Sequence, residues 1–542
     1  MIDKLMKALK FILLGALLLM CRHAAAQWTP DHNAYRPSNV CPVLEQVQRD
    51  AFFHFWKYGD RATGMIHASS NVRNPNLTVG GSGFGAMVLI AGAERGWITR
   101  AQAAERIVQL VRFLDKADRF HGVWPHWVDR EGHAVKFGKQ IKAGDLVETS
   151  FMMMGLYCAA AYFDGDSAAE QEIREATERF RNSIEWNFYT NGGGPDLFWL
   201  WESTTGAFNL PLRGYNEALI TYILALGAPD EHAVPAATYR TGWLQDGRIE
   251  RKGRQFYGYP MPLGGPYGGP MFLSHCTFMG IDPHVLEDDY VNYFHNGIRH
   301  AMVNRHYCIH HAPHSYRYDA FNWGLTACSG PVGKGYAART PQRDDGVIAP
   351  TAALSSIVYT PFYSTQVLLN IVNNYPRLKS DGGPGDAYSL VDDWFFRECI
   401  AIDQAPIVIM IENYRSGLFW RLLAGHPDIV RGLERAGMHR PVYTTGFQHV
   451  IADVSTGLYD LMMHPDRERY ELDFYLGQSG AVAFTILDTV SGALLVESEK
   501  TVYPAGEHVF AFTDKNLRPE TVCTIEMTVD GAKAASVAVK LH

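Results

Sequence analysis

The stretch AGDLVETSFMMMGL, residues 143–156, combines two acidic residues with a long apolar run. Asp145 and Glu148 are three residues apart, so both carboxylates can face the same way at the start of a helix. Residues 151–156 carry no charged side chain, and a helix that is apolar on all sides is buried among other elements. This stretch therefore predicts a buried helix that carries acids in its first turn.

The helical spacing of apolar residues continues on both sides of this stretch, from about residue 44 to 438. Amphipathic segments alternate there with more apolar ones, which favours an inner ring of buried helices wrapped by an outer ring. The sequence thus predicts a mainly α fold, a toroid of helical hairpins. The clearest helical segments are residues 83–94, 99–118, 147–163 and 217–226.

The pattern changes after about Met438 to short alternating runs separated by turn signals. These runs predict a small C-terminal β-sandwich domain over residues 441–542, with no cluster of catalytic residue types. The helical domain is then assigned to residues 27–440. The alternating runs are residues 470–476, 481–487, 508–512, 521–529 and 535–541.

The first 26 residues have the features of an export signal. Three lysines precede the apolar run of residues 11–20, and Ala24-Ala25-Ala26 suits cleavage by a signal peptidase. Lipidation at Cys21 is the less favoured alternative, because Met20 is bulky where a small residue usually precedes a lipidated cysteine. We therefore expect a periplasmic or secreted protein.

The overall composition narrows the possible partners. The chain has 542 residues, 47% hydrophobic and 20% charged, enough to bury a large core in more than one domain. The net charge of -8 argues against a nucleic-acid partner. The widely spaced cysteines form no C-x-x-C pair, which favours buried single thiols. No later segment suggests a membrane span, and we expect a monomer.

Asp145 and Glu148 have two interpretations that their spacing alone leaves open. An Asp at the N-cap with a Glu three residues later is close to a capping box, which stabilises a helix start without any catalysis. The alternative is that both carboxylates belong to an active site.

Glu217, in GYNEALITYILALG, and Asp403, in CIAIDQAPIVIMIENY, stand at the start of almost wholly apolar runs. A carboxyl group in such surroundings is partly desolvated, which raises its pKa as a general acid requires. The structural alternative is that Asn216 caps a helix that Glu217 begins, and that Asp403 is a helix-start carboxylate ahead of Pro406. We favour a functional role for Glu217 and leave Asp403 open at this point.

Aromatic residues gather in loops and at helix ends, beside Gly, Pro and Asn. Flat rings there can stack on the apolar faces of sugar rings, although core packing is the alternative for each tryptophan. These aromatic residues are Trp124, Trp127, Trp199, Trp201, Tyr257, Tyr259, Tyr267 and Trp323.

The remaining motifs favour no metal or serine chemistry. His306, His310, His311 and His314 are interrupted by Pro313 and have no acidic partner in register, so we expect no metal site. The sequence has no His-Glu-x-x-His and no convincing Gly-x-Ser-x-Gly. Carboxylates and aromatics are the remaining candidates for a functional site. Two carboxylic acids that flank the scissile bond are the catalytic groups of most glycoside hydrolases.

Six stretches together resemble glycoside hydrolase family 144, within the bacterial glycoamylase-like group. Their order and spacing run through the helical part, from about residue 45 to 438, and do not reach the β domain. The stretches are GFGAMVLIAGAERGWITRAQA (83–103), AGDLVETSFMMMGL (143–156), GYNEALITYILALG (214–227), NWGLTACSGP (322–331), DGVIAPTAALSS (345–356) and IDQAPIVIMIENYRSGLFW (402–420).

The resemblance implies an (α/α)6 barrel that hydrolyses β-1,2-glucan with inversion, to sophorose or short sophorooligosaccharides, without a metal or organic cofactor. It assigns the general acid to Glu217 and the candidate base to Asp403, with Asp145 and Glu148 as further acids of the cleft. Hydrolysis of another glucan or glycan, and non-catalytic glycan binding, remain the alternatives. The sequence does not decide between endo and exo cleavage.

Overall fold

A computed structural model describes residues 42–71, 75–441, 456–464, 469–476, 478–513 and 522–540. The predicted signal peptide, residues 1–26, and Cys21 lie outside the described residues. Within them, no helix combines the length and apolar character needed to cross a membrane.

Helices dominate residues 42–441. They alternate between partly exposed outer helices and inner helices whose residues are almost all buried. The helices are α1 Pro42–Tyr58, α2 Val79–Glu94, α3 Arg100–Leu114, α4 Leu146–Tyr162, α5 Ala168–Arg181, α6 Leu219–Gly227, α7 Ala236–Thr238, α8 Tyr293–His310, α9 Pro350–Leu354, α10 Pro361–Asn374, α11 Ala401–Ser416, α12 Leu418–Ala424 and α13 Pro427–Arg435.

Six outer–inner hairpins follow one another along residues 42–416. The outer members are α1, α3, α5, α7 with the π turn Tyr239–Trp243, α8 and α10. The inner members are α2, α4, α6, the 3-10 turns Met271–Ser274 and Thr277–Met279, α9 with Ser355–Val358, and α11. This order is that of an (α/α)6 barrel, which confirms the predicted fold class.

The inner ring closes through direct contacts. Helix α2 packs between α4 and α11, α4 packs on α6, and α11 packs on the turn after α9. The short fourth member joins its neighbours by hydrogen bonds. Thr277 Oγ1 accepts from Ile220 N at 3.1 Å, and His275 Nε2 lies 3.0 Å from Ser356 Oγ.

The helix starts follow from local capping chemistry. Thr78 caps α2 by accepting a hydrogen bond from Gly81 N, and Thr99 forms a complete capping box with Gln102 at the start of α3. Asp145 caps α4. Such caps satisfy amide groups that the first turn leaves without a helical partner.

Two glycines allow the closest contact of the inner ring. A Cβ atom on Gly155 of α4 would lie 2.0 Å from the carbonyl oxygen of Gly83 in α2, and one on Gly83 would lie 2.4 Å from the Cα of Met152. Any larger residue would therefore force the backbones of α2 and α4 apart. The first turns of both helices carry residues of the site described below.

The strands form small antiparallel sheets. Within residues 42–441 they are β1 Ile66–His67, β2 Leu77–Thr78, β3 Trp127–Val128, β4 Ala134–Val135, β5 Ala143–Asp145, β6 Phe198–Glu202, β7 Ala207–Pro211, β8 Gln255–Phe256, β9 Tyr259–Pro260, β10 Ala327–Cys328, β11 Ala337–Ala338, β12 Lys379–Ser380, β13 Gly383–Pro384, β14 Ala387–Ser389 and β15 Trp394–Phe396. In the sheet β5-β6-β7, β5 leads directly into α4 and ends at Asp145, and β6 carries Trp199.

The C-terminal part is a two-sheet β structure. One sheet has the order β16-β17-β21, and the other has the order β19-β18-β22-β23 with β20 also on β18. Phe474 of β17 meets Phe484 of β18 edge to face at 5.1 Å, so side chains of both sheets share a core. These strands are β16 Thr456–His464, β17 Arg469–Leu476, β18 Gly480–Asp488, β19 Leu494–Glu497, β20 Thr501–Tyr503, β21 Gly506–Phe512, β22 Val522–Val529 and β23 Ala532–Lys540.

The β sandwich confirms the predicted fold class for this part, while the boundary near residue 440 stays a prediction. The six cysteines among the described residues are free and buried, as the sequence predicts. They are Cys158, Cys276, Cys308, Cys328, Cys399 and Cys523.

We predict that Gly155→Ala destabilises the barrel by about 1–3 kcal/mol or more, because overpacking pushes the two helix backbones apart. Thermal and urea unfolding measure the change. The matched control is Gly265→Ala, since a Cβ there meets nothing within 4 Å. Equal unfolding midpoints for both variants would contradict the packing argument.

A second prediction concerns the domain boundary. A chain that ends after Pro441 should still unfold cooperatively, because the large majority of the buried apolar residues lie between Leu44 and Met438. Circular dichroism and thermal unfolding test this. A shortened chain without a cooperative transition would show that the barrel needs the β domain.

Candidate active site

The first turns of the inner helices open onto one cavity of about 570 Å³. Three of the four predicted acids line it, Glu148, Glu217 and Asp403, together with two predicted aromatics, Trp127 and Trp199. The other lining residues are Ala68, Ser69, Thr78, His126, Phe137, Phe151, Phe272, His275, Cys276, Ala327, Tyr336, Ala338, Thr351, Ile400, Ile402 and Pro406.

Asp145 is a helix cap that also organises its neighbours. Its Oδ1 accepts from Val147 N at 3.1 Å, from Glu148 N at 2.9 Å and from Trp199 Nε1 at 2.8 Å. Its Oδ2 lies 2.8 Å from His126 Nδ1. The side chain is fully buried and outside the cavity lining. Asp145 therefore holds the walls of the site in place.

Glu148 is not the second half of a capping box. Its Oε2 accepts from the backbone N–H of Gly80 at 2.7 Å, in the first turn of the adjacent helix α2. Its Oε1 lies 3.9 Å from His126 Nδ1. Burial raises the pKa of Glu148. Glu148 thus joins two inner helices at the cavity wall.

His126 is the basic group of this corner. Burial lowers its pKa, but the charge of Glu148 and the hydrogen bond to Asp145 outweigh burial and raise the pKa above its ordinary value. Its ring stacks on Phe137, with centroids 3.6 Å apart. Sequence reasoning missed His126, since a lone histidine before a tryptophan carries no motif.

Glu217 lies in the turn just before α6, where Asn216 Oδ1 accepts from Ala218 N at 2.8 Å. The Glu217 carboxyl is hydrogen-bonded to its own backbone, and no other donor to it is found in the described part of the chain. Burial, with smaller contributions from the nearby Asp145 and Glu148, raises the pKa of Glu217 to about 7. Glu217 can therefore hold a proton near neutral pH.

Asp403 is the third residue of α11 and is 7% exposed. It accepts a hydrogen bond from the Tyr336 hydroxyl at 2.9 Å. Burial raises the pKa of Asp403 well above its ordinary value, and the charge of Asp386 adds to this effect. Glu217, just before α6, and Asp403, in the first turn of α11, thus face one cavity from the starts of two different inner helices.

Asp386 and Tyr336 are site residues that sequence reasoning missed. Asp386 is buried next to Asp403, and its Oδ2 accepts from Ser329 N at 2.7 Å. Tyr336 lies in the loop between β10 and β11. The residue is 54% exposed, and its hydroxyl donates to Asp403. Both residues sit in Gly-rich segments, GGPGDAY and GKGYAA, whose only sequence signal is a polar or aromatic residue between turn residues.

The other predicted aromatics are placed away from the cavity lining. Trp124 and Trp323 are 0% exposed, so they pack in the core and have no surface to offer a sugar. Trp201 meets the rings of Phe188 and His121 at 5.1 Å. Core packing, the alternative weighed for each tryptophan, describes these positions.

Tyr257 and Tyr267 form a separate stack, with ring centroids 5.7 Å apart. Tyr257 also stacks on His311 at 4.2 Å and on His306 at 4.9 Å, and Tyr259 is 4% exposed beside this stack. Over the described ranges, no three His, Cys, Asp or Glu side chains are grouped so that they could hold a metal ion.

Comparisons with known proteins identify the family of the chain. Residues 209–427 match the Glycoamylase family model, described as "Putative glucoamylase". An endo-β-1,2-glucanase from Chitinophaga pinensis, solved with sophorotriose and glucose, is 40% identical with a TM-score of 0.70, over 73% of this chain and 98% of that chain. The chain belongs to the glycoamylase-like hydrolases of the glycoside hydrolase family 144 type.

Two further proteins are similar to this family 144 chain. A Bacteroides uniformis structure with the same description as the family model is 40% identical with a TM-score of 0.71, over 74% of this chain and 97% of that one. An exo β-1,2-glucooligosaccharide sophorohydrolase (non-reducing end) from Parabacteroides distasonis is 36% identical over 413 residues, 72% of this chain. The match spans only 57% of the sophorohydrolase.

We predict that Glu217→Gln stabilises the fold more at pH 8 than at pH 4.5. The folded pKa of Glu217, about 7, exceeds the ordinary 4.5. This group's contribution to stability is therefore complete below about pH 4.5 and is lost as the pH rises through 7. Glutamine does not titrate and avoids this loss.

Thermal unfolding at both pH values measures the effect, with the exposed Glu231→Gln as the baseline. A gain in Tm that is equal at both pH values would contradict the raised pKa.

Proposed function

We propose that this chain is a glycoside hydrolase that cleaves β-1,2-glucan with inversion and releases sophorose or short sophorooligosaccharides. The observation that carries the proposal is the pair of carboxyl groups, Glu217 and Asp403, which face one cavity from the starts of two inner helices. An inverting glycosidase needs one protonated and one ionised carboxyl group, with room for a water between the base and the sugar.

Glu217 is the general acid in this proposal. Its pKa of about 7 keeps a large fraction protonated at neutral pH, and an acid whose pKa lies near the working pH transfers its proton efficiently. Among the described residues, the carboxyl group is hydrogen-bonded only to its own backbone. The proton can therefore be directed to the glycosidic oxygen. That oxygen then leaves as a hydroxyl group.

Asp403 is the general base in this proposal. A water between Asp403 and the anomeric carbon gives up a proton as its oxygen attacks the face opposite to the leaving group, which inverts the configuration. The Tyr336 hydroxyl orients the accepting carboxyl group. We expect the carboxyl groups of Glu217 and Asp403 to lie about 6.5 to 9.5 Å apart if both act directly.

The cavity also offers what a glucan chain needs for binding. Trp127, Trp199 and the exposed face of Tyr336 present flat rings, and such rings can stack on sugar faces. Glu148 and His126 offer hydrogen-bonding groups nearby. The named activities of the Chitinophaga and Parabacteroides relatives support the β-1,2 linkage, while one is endo and the other exo.

We also propose that the protein is exported, as a periplasmic or secreted monomer. Support comes from the residues before position 27, which have the pattern of a cleaved signal peptide. Cell fractionation and the N-terminal sequence of the mature protein test the location, and size-exclusion chromatography with light scattering tests the monomer.

We predict hydrolysis of linear β-1,2-glucan but not of β-1,3-glucan or starch. Resolving the product lengths over time separates endo cleavage from release of disaccharides, and NMR of the first products gives the anomeric configuration. Binding without turnover would replace this proposal with a glycan-binding role. Turnover of starch or β-1,3-glucan would keep a hydrolase but reject the linkage.

We predict further that Glu217→Gln and Asp403→Asn each lose about 10² to 10⁴ in kcat, the usual range for removal of a general acid or base. Binding of sophorooligosaccharides, measured by calorimetry, should largely survive. Glu231→Gln is the matched surface control. A variant that keeps more than about a tenth of the wild-type kcat would remove that residue from its role.

A further inference from the structure

Asp386 and Asp403 are buried neighbours. Both are held by the segment around β10 and β11, where Ser329 N donates to Asp386 and the Tyr336 hydroxyl donates to Asp403. Two neighbouring carboxyl groups in a buried site do not both ionise readily, which favours one proton held by the pair. Asp386 Oδ1 is buried and finds no donor among the ordinary hydrogen-bonding groups of the described residues. A shared proton satisfies this oxygen.

We propose that Asp386 and Asp403 act as one proton acceptor that already holds a shared proton, with Asp386 as the positioning residue behind Asp403. This inference rests on the proposed hydrolase function and assigns a role to Asp386 that the family motifs do not contain. It follows from the burial of two neighbouring carboxyl groups at the base side of the cavity, one of which has an oxygen without a donor among the described residues.

The two carboxyl groups of the pair accept hydrogen bonds from different donors. The Tyr336 hydroxyl donates to Asp403 on the cavity side at 2.9 Å, and Ser329 N donates to Asp386 on the buried side at 2.7 Å. The pair therefore has a fixed orientation, in which Asp403 faces the substrate and Asp386 faces the protein.

The charges around the pair allow one negative charge and disfavour two. Burial raises the pKa of Asp386 to about 6 and raises that of Asp403 well above its ordinary value. Arg339 lowers the pKa of Asp386, but this guanidinium is already paired with Asp345. The other titratable groups near the pair are Tyr336, Cys276, Cys328 and Cys399, all of which have raised pKa values and stay neutral.

The pair changes how the proton of the attacking water is taken up. The water oxygen bonds to the anomeric carbon, and its proton goes to Asp403. Asp403 can pass the shared proton to Asp386, so that the pair ends with two protons and no charge. Meanwhile the bond to the leaving oxygen breaks and Glu217 supplies its proton to that oxygen. Exchange with solvent restores both groups.

A substrate-free measurement tests the shared proton directly. Infrared spectra at pH 8 should show a protonated carboxyl band in the wild type that is lost in both Asp386→Asn and Asp403→Asn, because the proton belongs to both partners. Tyr336→Phe should keep this band, since removing a donor from the carboxylate favours its protonated form.

The control is Asp344→Asn, which removes another buried carboxyl that accepts from two tyrosine hydroxyls, those of Tyr318 and Tyr307. It should leave the band of the pair unchanged. If the band survives in Asp386→Asn, or is absent from the wild type at pH 8, the shared proton does not exist and the proposal fails.

Kinetics then test whether the pair acts as a unit. Asp386→Asn should lower kcat about tenfold or more with little change in KM. The double variant Asp386→Asn with Asp403→Asn should be no slower than Asp403→Asn alone, because residues that act as a unit are not additive. Additive losses would overturn the proposal. Absence of glucanase activity would reject the proposed function. The infrared result would still show whether Asp386 and Asp403 share a proton.

Discussion

The contact between α2 and α4 sets the geometry on which the site depends. Gly83 and Gly155 let the two inner helices approach to backbone contact, and this approach places Glu148 within 2.7 Å of the N–H of Gly80. A carboxylate that accepts from the first turn of a neighbouring helix is favoured by the unsatisfied amides and by the helix dipole. One close packing contact therefore fixes both the ring of helices and one wall of the cavity.

The acids in and beside the cavity differ in their hydrogen-bond partners, and this difference separates their roles. Asp145 receives two backbone N–H groups and the Trp199 indole, so it is committed to structure. Among the described residues, the Glu217 carboxyl is hydrogen-bonded only to its own backbone. Asp403 accepts from the Tyr336 hydroxyl and lies near the charge of Asp386. Desolvation without full compensation raises a carboxyl pKa, and such groups cost stability that a purely structural protein has no reason to accept.

The sequence predicted the elements well because their causes are local. Helical periodicity, the apolar run of residues 151–156 and the change of period after about residue 438 each follow from side chains that are close along the chain. Glu217 was also predicted from a local cause, a carboxyl group at the start of an apolar helix. The aromatics were harder, because Trp124 and Trp127 are three residues apart and only the second faces the cavity.

Asp386 and Tyr336 show why the rest of the site could not be predicted. Each lies in a loop outside the helix that carries Asp403, and each gains its role only when the barrel brings it to Asp403. Nothing near Asp386 in the sequence indicates that its carboxyl will meet another one. The inner helices supply acids at predictable positions, while the loops between them decide how those acids are protonated, so chemistry on this barrel can change without a change of fold.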